Sequence, residues 1–179
     1  INIYREADGL QGRMDMGIAE KALERRRDMS YIDKIKDRAK MDKKTIVLPE
    51  SKDKRTLIAA AKIVEEGIAD IIMVGNEEKI TDGAGWLEVD LTGVVVIDPA
   101  KTSKLDEYVE LLYETRKAKG MTPEKARETL LNDYLTFGIV MVKAGDADGM
   151  VAGACHSTAE TLRPALQILK TAPGVKLVS

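Results

Sequence analysis

From Lys44 onward the chain alternates short apolar runs with longer amphipathic ones. Thr45-Ile-Val-Leu-Pro49 is a β-type run, and Arg55 to Glu66 is a helix-forming stretch closed by Gly67. Asp70-Ile-Ile-Met-Val74 predicts a second strand, Gly75-Asn76 a turn with a helix cap, and Gly93-Val-Val-Val-Ile97 a third strand stopped by Asp98-Pro99. Two helices follow, Leu105 to about Lys119 and Pro123 to about Ala144. Gly120 ends the first, and Thr122 caps the second with Pro123 at its first helical position. Gly149-Met-Val-Ala152 and the terminal Val175-Lys-Leu-Val178 bring the total to about five strands. The strand runs are apolar throughout rather than alternating, as in parallel sheets buried on both faces. The predicted fold class is therefore α/β, a three-layer α/β/α arrangement with a mostly parallel sheet.

Before this regular part, the chain opens on Ile1 and runs through charged, poorly patterned sequence to Arg25-Arg26-Arg27-Asp28. Met29 is the expected natural start, and residues 1–28 an extension of unclear origin. Met29 to Lys40 reads as an amphipathic helix with Ile32, Ile35 and Ala39 on one face.

Charge adds an exclusion. With 28 Lys+Arg against 30 Asp+Glu and a net charge of -2, nothing global favours nucleic acid or an anionic membrane, so any phosphate binding must be local. Cys155 is the single cysteine and His156 the single histidine, which excludes an internal disulfide and a CxxC zinc pair; no metal site is expected. No apolar run approaches the roughly 20 residues of a membrane span, and no secretory leader is seen. A cytoplasmic setting is the expectation.

The candidate chemistry lies in Asp148-Gly-Met-Val-Ala-Gly-Ala-Cys-His-Ser-Thr-Ala-Glu-Thr-Leu-Arg-Pro164, a short strand running through small residues into a capped helix. Ser157 and Glu160 form an S-x-x-E capping box, so the N–H groups of Ala159 and Glu160 are expected to face the strand end, where they and the helix dipole attract anions. Arg163 lies about one and a half turns further on, within reach of anything bound there. The same pattern also fits an ordinary βα junction with Arg163 in a surface ion pair. In the first long helix the stripe Leu105, Tyr108, Val109, Leu112 continues onto Arg116, which either snorkels to water at a frayed end or borders a cleft with an anionic ligand. Cys155 beside His156 suggests a thiol–imidazole pair, but sequence neighbours rarely have the required geometry. His156 can donate to phosphate or pack within the loop. Glu50 and Arg55 follow the first strand, where open α/β sheets place ligand loops, and a supporting or helix-capping role is expected of them. No GxGxxG follows the first strand and no GxxxxGK[ST] occurs, which weakens dehydrogenase and kinase readings.

Leu48-Pro-Glu-Ser51, Arg116-Lys-Ala-Lys-Gly-Met-Thr122, Asp146-Ala-Asp-Gly-Met-Val-Ala-Gly153, Ser157-Thr-Ala-Glu-Thr-Leu-Arg-Pro164 and Gln167-Ile-Leu-Lys-Thr-Ala-Pro-Gly174 occur in this order. In these segments, from Met29 to Ser179, the chain resembles the phosphate acetyltransferases of the phosphate acetyl/butyryltransferase family. The resemblance implies an isocitrate dehydrogenase-like fold of two α/β/α domains facing a cleft: a first domain over residues 29–147, and a second begun at 148–179 and cut short. It implies reversible acetyl transfer between coenzyme A and inorganic phosphate, with coenzyme A as a substrate, no other cofactor, and a homodimer. By the same resemblance Arg116 and Arg163 recognise phosphate or coenzyme A anions, helped by Ser157, Thr158 and His156. The catalytic Ser-Arg pair and aspartate of the family have no counterpart in these residues, so no catalytic residue is expected here and the chain alone is expected to be inactive. Butyryl transfer, a non-catalytic module binding phosphorylated or coenzyme A-like ligands, and a metal-dependent decarboxylating dehydrogenase are the alternatives. The last requires acidic metal ligands that this stretch does not display.

Overall fold

The computed structural model describes residues 30–171 and Val175. The extension at 1–28 lies outside the described residues, as does the expected strand at 175–178 but for Val175. By internal contacts the chain divides into two units, residues 1–41 and 42–179.

In the first unit, helix α1 spans Tyr31–Met41. Ser30 starts it by a reciprocal cap: Asp33 N–H donates to Ser30 Oγ, and Ser30 N–H to Asp33 Oδ2, both at 3.2 Å. The helix buries no residue.

The second unit runs β1 (Thr45–Leu48), α2 (Lys54–Glu65), β2 (Asp70–Val74), α3 (Glu77–Trp86), β3 (Val95–Ile97), α4 (Leu105–Arg116), a 3₁₀ turn (Lys117–Lys119), α5 (Pro123–Asn132), α6 (Tyr134–Ala144), β4 (Gly149–Met150) and α7 (Thr158–Ile168). The four strands form one parallel sheet in the order β3-β2-β1-β4. Successive residues of a strand face opposite sides, and the two cores follow that period. Val47, Ile72 and Val74 pack with α4, α5, α6 and α7 through Leu112, Leu130, Phe137 and Ile168. Leu48, Ile71 and Met73 pack with α2 and α3 through Leu57, Ala60 and Ile80. Three layers are thus present, as the unalternating strand runs predict.

One predicted helix is two. The stretch from Pro123 to Ala144 breaks at Asp133, whose backbone leaves helical geometry (φ -117, ψ 94) to end α5 and cap α6. Its carboxylate accepts the N–H groups of Leu135 and Thr136 at 3.0 and 3.1 Å and the Thr136 hydroxyl at 2.5 Å. The apolar period runs through this point and hides the cap. Beyond it, Leu135 to Met141 are all buried, which makes α6 the central helix of its layer.

Gly138 lets α6 lie against the sheet: a Cβ there would sit 2.9 Å from the Met150 sulfur and 3.0 Å from Val47 Cγ1. Alanine favours helix by up to about 1 kcal/mol over glycine, but overpacking costs about 1–3 kcal/mol. Gly138→Ala is therefore expected to destabilise the protein by about 1–2 kcal/mol in chemical denaturation; equal or greater stability would mean that the interface yields freely. At the far end of the helix, Asp146 accepts the buried Tyr108 hydroxyl at 2.6 Å and an ion pair from Lys104, tying α4 to the turn before β4.

Candidate functional site

In the order β3-β2-β1-β4 the chain leaves β1 toward β2 on one side and returns to β4 on the other. Ligands of open α/β sheets bind at such a switch point, beyond the carboxyl ends of the strands. Here those ends are Pro49–Ser51 after β1 and Val151–His156 after β4.

The two ends are joined by one carboxylate. Glu50, 5% exposed, accepts Gly153 N–H and Ala154 N–H on Oε2 at 2.9 and 2.7 Å, and Cys155 N–H and His156 N–H on Oε1 at 2.8 and 3.0 Å. The His156 ring adds a fifth contact, Nδ1 to Oε1 at 2.7 Å. Burial opposes the charge on Glu50, but the Cys155 N–H, the His156 ring and the Ala154 and Gly153 N–H groups outweigh it and bring its pKa down to about 2. Glu50 is therefore a carboxylate, and Nδ1 is the ring nitrogen that carries the proton.

Beyond this loop, the capping box expected at Ser157 is formed. Glu160 N–H donates to Ser157 Oγ at 3.3 Å and Ser157 N–H to Glu160 Oε2 at 2.7 Å. One expectation is corrected here: the Glu160 amide is not free, because it is the N3 donor that the cap itself consumes. The amides without an acceptor among the described residues are those of Thr158 and Ala159, at the positive end of the helix dipole. Arg163, on the same helix, is exposed and makes no hydrogen bond or ion pair among the described residues, so the surface ion pair that a plain βα junction would allow it is not formed.

Arg116 is half-buried as the last residue of α4. Tyr108, Val109 and Leu112 continue into the core below it, while Arg116 borders a groove of about 620 Å³ with Lys119, Lys125, Glu128, Asn132 and Asp133. Gly120, which closes the 3₁₀ turn in the left-handed region (φ 82), sets the bend of that wall. A second groove, of about 350 Å³, is lined by Glu50, Lys52, Tyr134, Cys155 and His156 and shares Asn132 and Asp133 with the first. The α5–α6 break is thus the common lip of both, and Lys52 Nζ lies there 5.7 Å from the Tyr134 ring centre. Ser157, Thr158 and Arg163 line neither groove; Ser157 and Thr158 form the exposed start of α7, and Arg163 lies exposed at its middle.

The structure assigns Arg55 and Asp53 to support. Asp53 caps α2 by accepting Arg55 N–H at 2.8 Å, and Arg55 donates to Asp53 and, at 2.6 Å, to the Ala154 carbonyl. Cys155 Sγ donates to Asp53 Oδ2 at 3.2 Å, and this bond to an anion raises the thiol's pKa above its ordinary value. A thiol held protonated is a poor nucleophile, and the imidazole is engaged by Glu50 instead. Cys155→Ala is expected to leave turnover of the intact protein within about twofold in a steady-state assay; loss of turnover in a folded variant would contradict this assignment. Among the described residues no three His, Cys, Asp or Glu side chains gather as metal ligands, and no helix is long and apolar enough to cross a membrane.

A parallel sheet with an arginine-bearing, capped helix at its switch point defines an open-sheet α/β protein. The family described as phosphate acetyl/butaryl transferase matches residues 30–179, and the chain belongs to it. It is 58% identical over 151 residues to a phosphate acetyltransferase of Acetivibrio thermocellus and 52% identical over 151 residues to one of Thermoanaerobacterium thermosaccharolyticum. Each alignment covers 84% of this chain and 45% of the relative, so the chain spans a little under half the length of these relatives. A crystal structure of a phosphotransacetylase from Streptococcus pyogenes superposes with a TM-score of 0.76 at 38% identity, over 83% of this chain and 46% of that one. EutD phosphotransacetylase from Staphylococcus aureus gives 0.73 at 42% identity, over 80% and 43%. The α/β class and the family resemblance read from the motifs both hold.

Proposed function

We propose that the protein carrying this chain transfers an acetyl group reversibly between coenzyme A and inorganic phosphate, and that these residues form the anion-holding wall of its site. The observation that carries the reading is the 58% identity to a phosphate acetyltransferase across 151 residues. With acetyl phosphate as the acyl donor, the coenzyme A thiolate attacks its carbonyl carbon, a C–S bond forms, the bond from that carbon to the bridging oxygen breaks, and phosphate leaves with the electron pair. The thiol proton must go to a base, and negative charge grows on the carbonyl oxygen and the leaving phosphate.

The chain's own groups answer the second need. The Thr158 and Ala159 amides and Arg163, without partners among the described residues, suit a phosphoryl group. Arg116, with Lys119 and Lys125 beside it, suits a further anion of coenzyme A or phosphate. Ser157 shapes the helix start, and His156 borders the adjoining groove. No residue of this stretch is assigned to proton transfer; the base and the remaining anion donors belong to residues outside these 179, and the chain by itself does not turn over. A homodimer in the cytoplasm, with coenzyme A as substrate and no resident cofactor, completes the reading.

The test compares the intact protein with residues 1–179 alone, following phosphate-dependent release of free thiol from acetyl-CoA and from butyryl-CoA. Release by the intact protein alone, faster with acetyl-CoA, is the expected result. Preference for butyryl-CoA would reassign the acyl group, and release by neither protein would leave a ligand-binding module.

A further inference from the structure

Four successive amides, Gly153 to His156, converge on one point. Such a concavity ordinarily takes an anion from solution. Here its occupant comes from the chain itself, 103–106 residues earlier. A carboxylate offers about four lone-pair sites, and Glu50 meets the four N–H donors and the His156 ring, so it has no capacity left for a ligand.

We propose that Glu50 is a positioning residue: by filling this concavity and holding His156 through Nδ1, it assigns ligand phosphate to the next amides, those of Thr158 and Ala159, and fixes the loop that aims them. The inference rests on the reading of the site as a phosphate-handling one. Two consequences separate it from a purely structural bond. Glu50 follows β1 and the helix start follows β4, so the carboxylate sets the gap across the switch point and thereby the register of Ser157, Thr158 and Arg163. The ring of His156 is also held in one tautomer, with Nε2 on the side away from the buried carboxylate and unprotonated while the ring is neutral.

Glu50→Gln keeps the size but turns one oxygen into an NH2 donor facing N–H groups, so the loop cannot keep its arrangement. In the intact protein this variant is expected to raise KM for inorganic phosphate and the Kd of phosphate, read by 31P line broadening, about tenfold each, while KM for acetyl-CoA stays within about twofold. A role in folding alone would lower kcat through the active fraction and leave both KM values in place, and that outcome overturns the proposal. Should Glu50→Gln not fold, His156→Asn carries the kinetic test, with a phosphate KM raised about threefold expected and an unchanged one overturning it. Independently, 15N spectra of histidine-labelled wild-type protein, assigned with His156→Asn, are expected to show the Nδ1–H tautomer, and hydrogen exchange slow amides at 153–156. The opposite tautomer, or amides exchanging as in an open loop, would overturn the clamp even if acetyl transfer is confirmed. Absence of acetyl transfer would instead remove the Proposed function while these two readouts still decide the geometry.

Discussion

Arg163→Ala in the intact protein is expected to lower acetyl transfer by about 100-fold or more, the scale seen when one donor to a developing anion is removed, with little change in stability. Arg163 stands at the surface of α7. It is exposed and has no hydrogen bond or ion pair among the described residues, so its removal leaves no buried group unpaired. Surface substitutions of this kind stay within about 0.5 kcal/mol, which for a protein of this size is about 1–2 °C in the unfolding midpoint. Its helix nevertheless begins with two amides that have no acceptor among the described residues, and a guanidinium on that helix adds a planar fork for phosphate oxygens. Steady-state rates beside calorimetric midpoints check the pair of expectations. A variant with wild-type rates, or one that loses activity because it unfolds, would return Arg163 to an ordinary surface role.

Glu50→Ala is expected to show the reverse pattern, a large loss of stability concentrated in a known pH range. Deleting the carboxylate leaves the Gly153–His156 amides without their acceptor, which costs about 3 kcal/mol or more for a set of charge-assisted bonds and about 6–12 °C in midpoint. The pH dependence follows from the depressed pKa. In the unfolded chain the carboxyl titrates near 4.5, in the folded protein near 2. The folded state thus binds this proton less readily, so Glu50's contribution is complete above about pH 4.5 and is lost as pH falls from there through about 2. Midpoints measured from pH 7 down to pH 2 are expected to fall more steeply for wild type than for Glu50→Ala, the two curves converging at the acid end. Parallel curves would mean that Glu50 is not bound as described.

Much of the fold was legible because its signals are local. The apolar runs Thr45–Leu48, Asp70–Val74 and Val95–Ile97 became parallel strands, and Asn76, Thr122 and Ser157 each cap a helix with the side chain their type suggests. Asp133 was missed for the converse reason. An apolar period continued across it, and only the Asp-x-x-Thr relation of Asp133 to Thr136 marked the stop.

The site was legible in part. Ser157, Thr158 and Arg163 share one local element, so their common location could be read along the chain. The role of Glu50 could not, because its partners lie more than 100 residues away and meet it only when β4 pairs with β1. Neither could the adjoining of the Arg116 and His156 grooves, which depends on the Asp133 break reaching the mouth of both. What the sequence could offer was the rule that loops after strand ends at a switch point hold ligands, and Glu50 is the second residue after β1.

In the proposed reaction the acetyl group passes directly between coenzyme A and phosphate and never rests on the protein. Isotope exchange tests this most directly: the intact protein is incubated with acetyl phosphate and labelled inorganic phosphate, with and without coenzyme A. Label is expected in acetyl phosphate only when coenzyme A is present, because phosphate is released and recaptured only through acetyl-CoA. Exchange without coenzyme A would reveal an acetylated protein group and contradict direct transfer, and no exchange under either condition would contradict the activity itself.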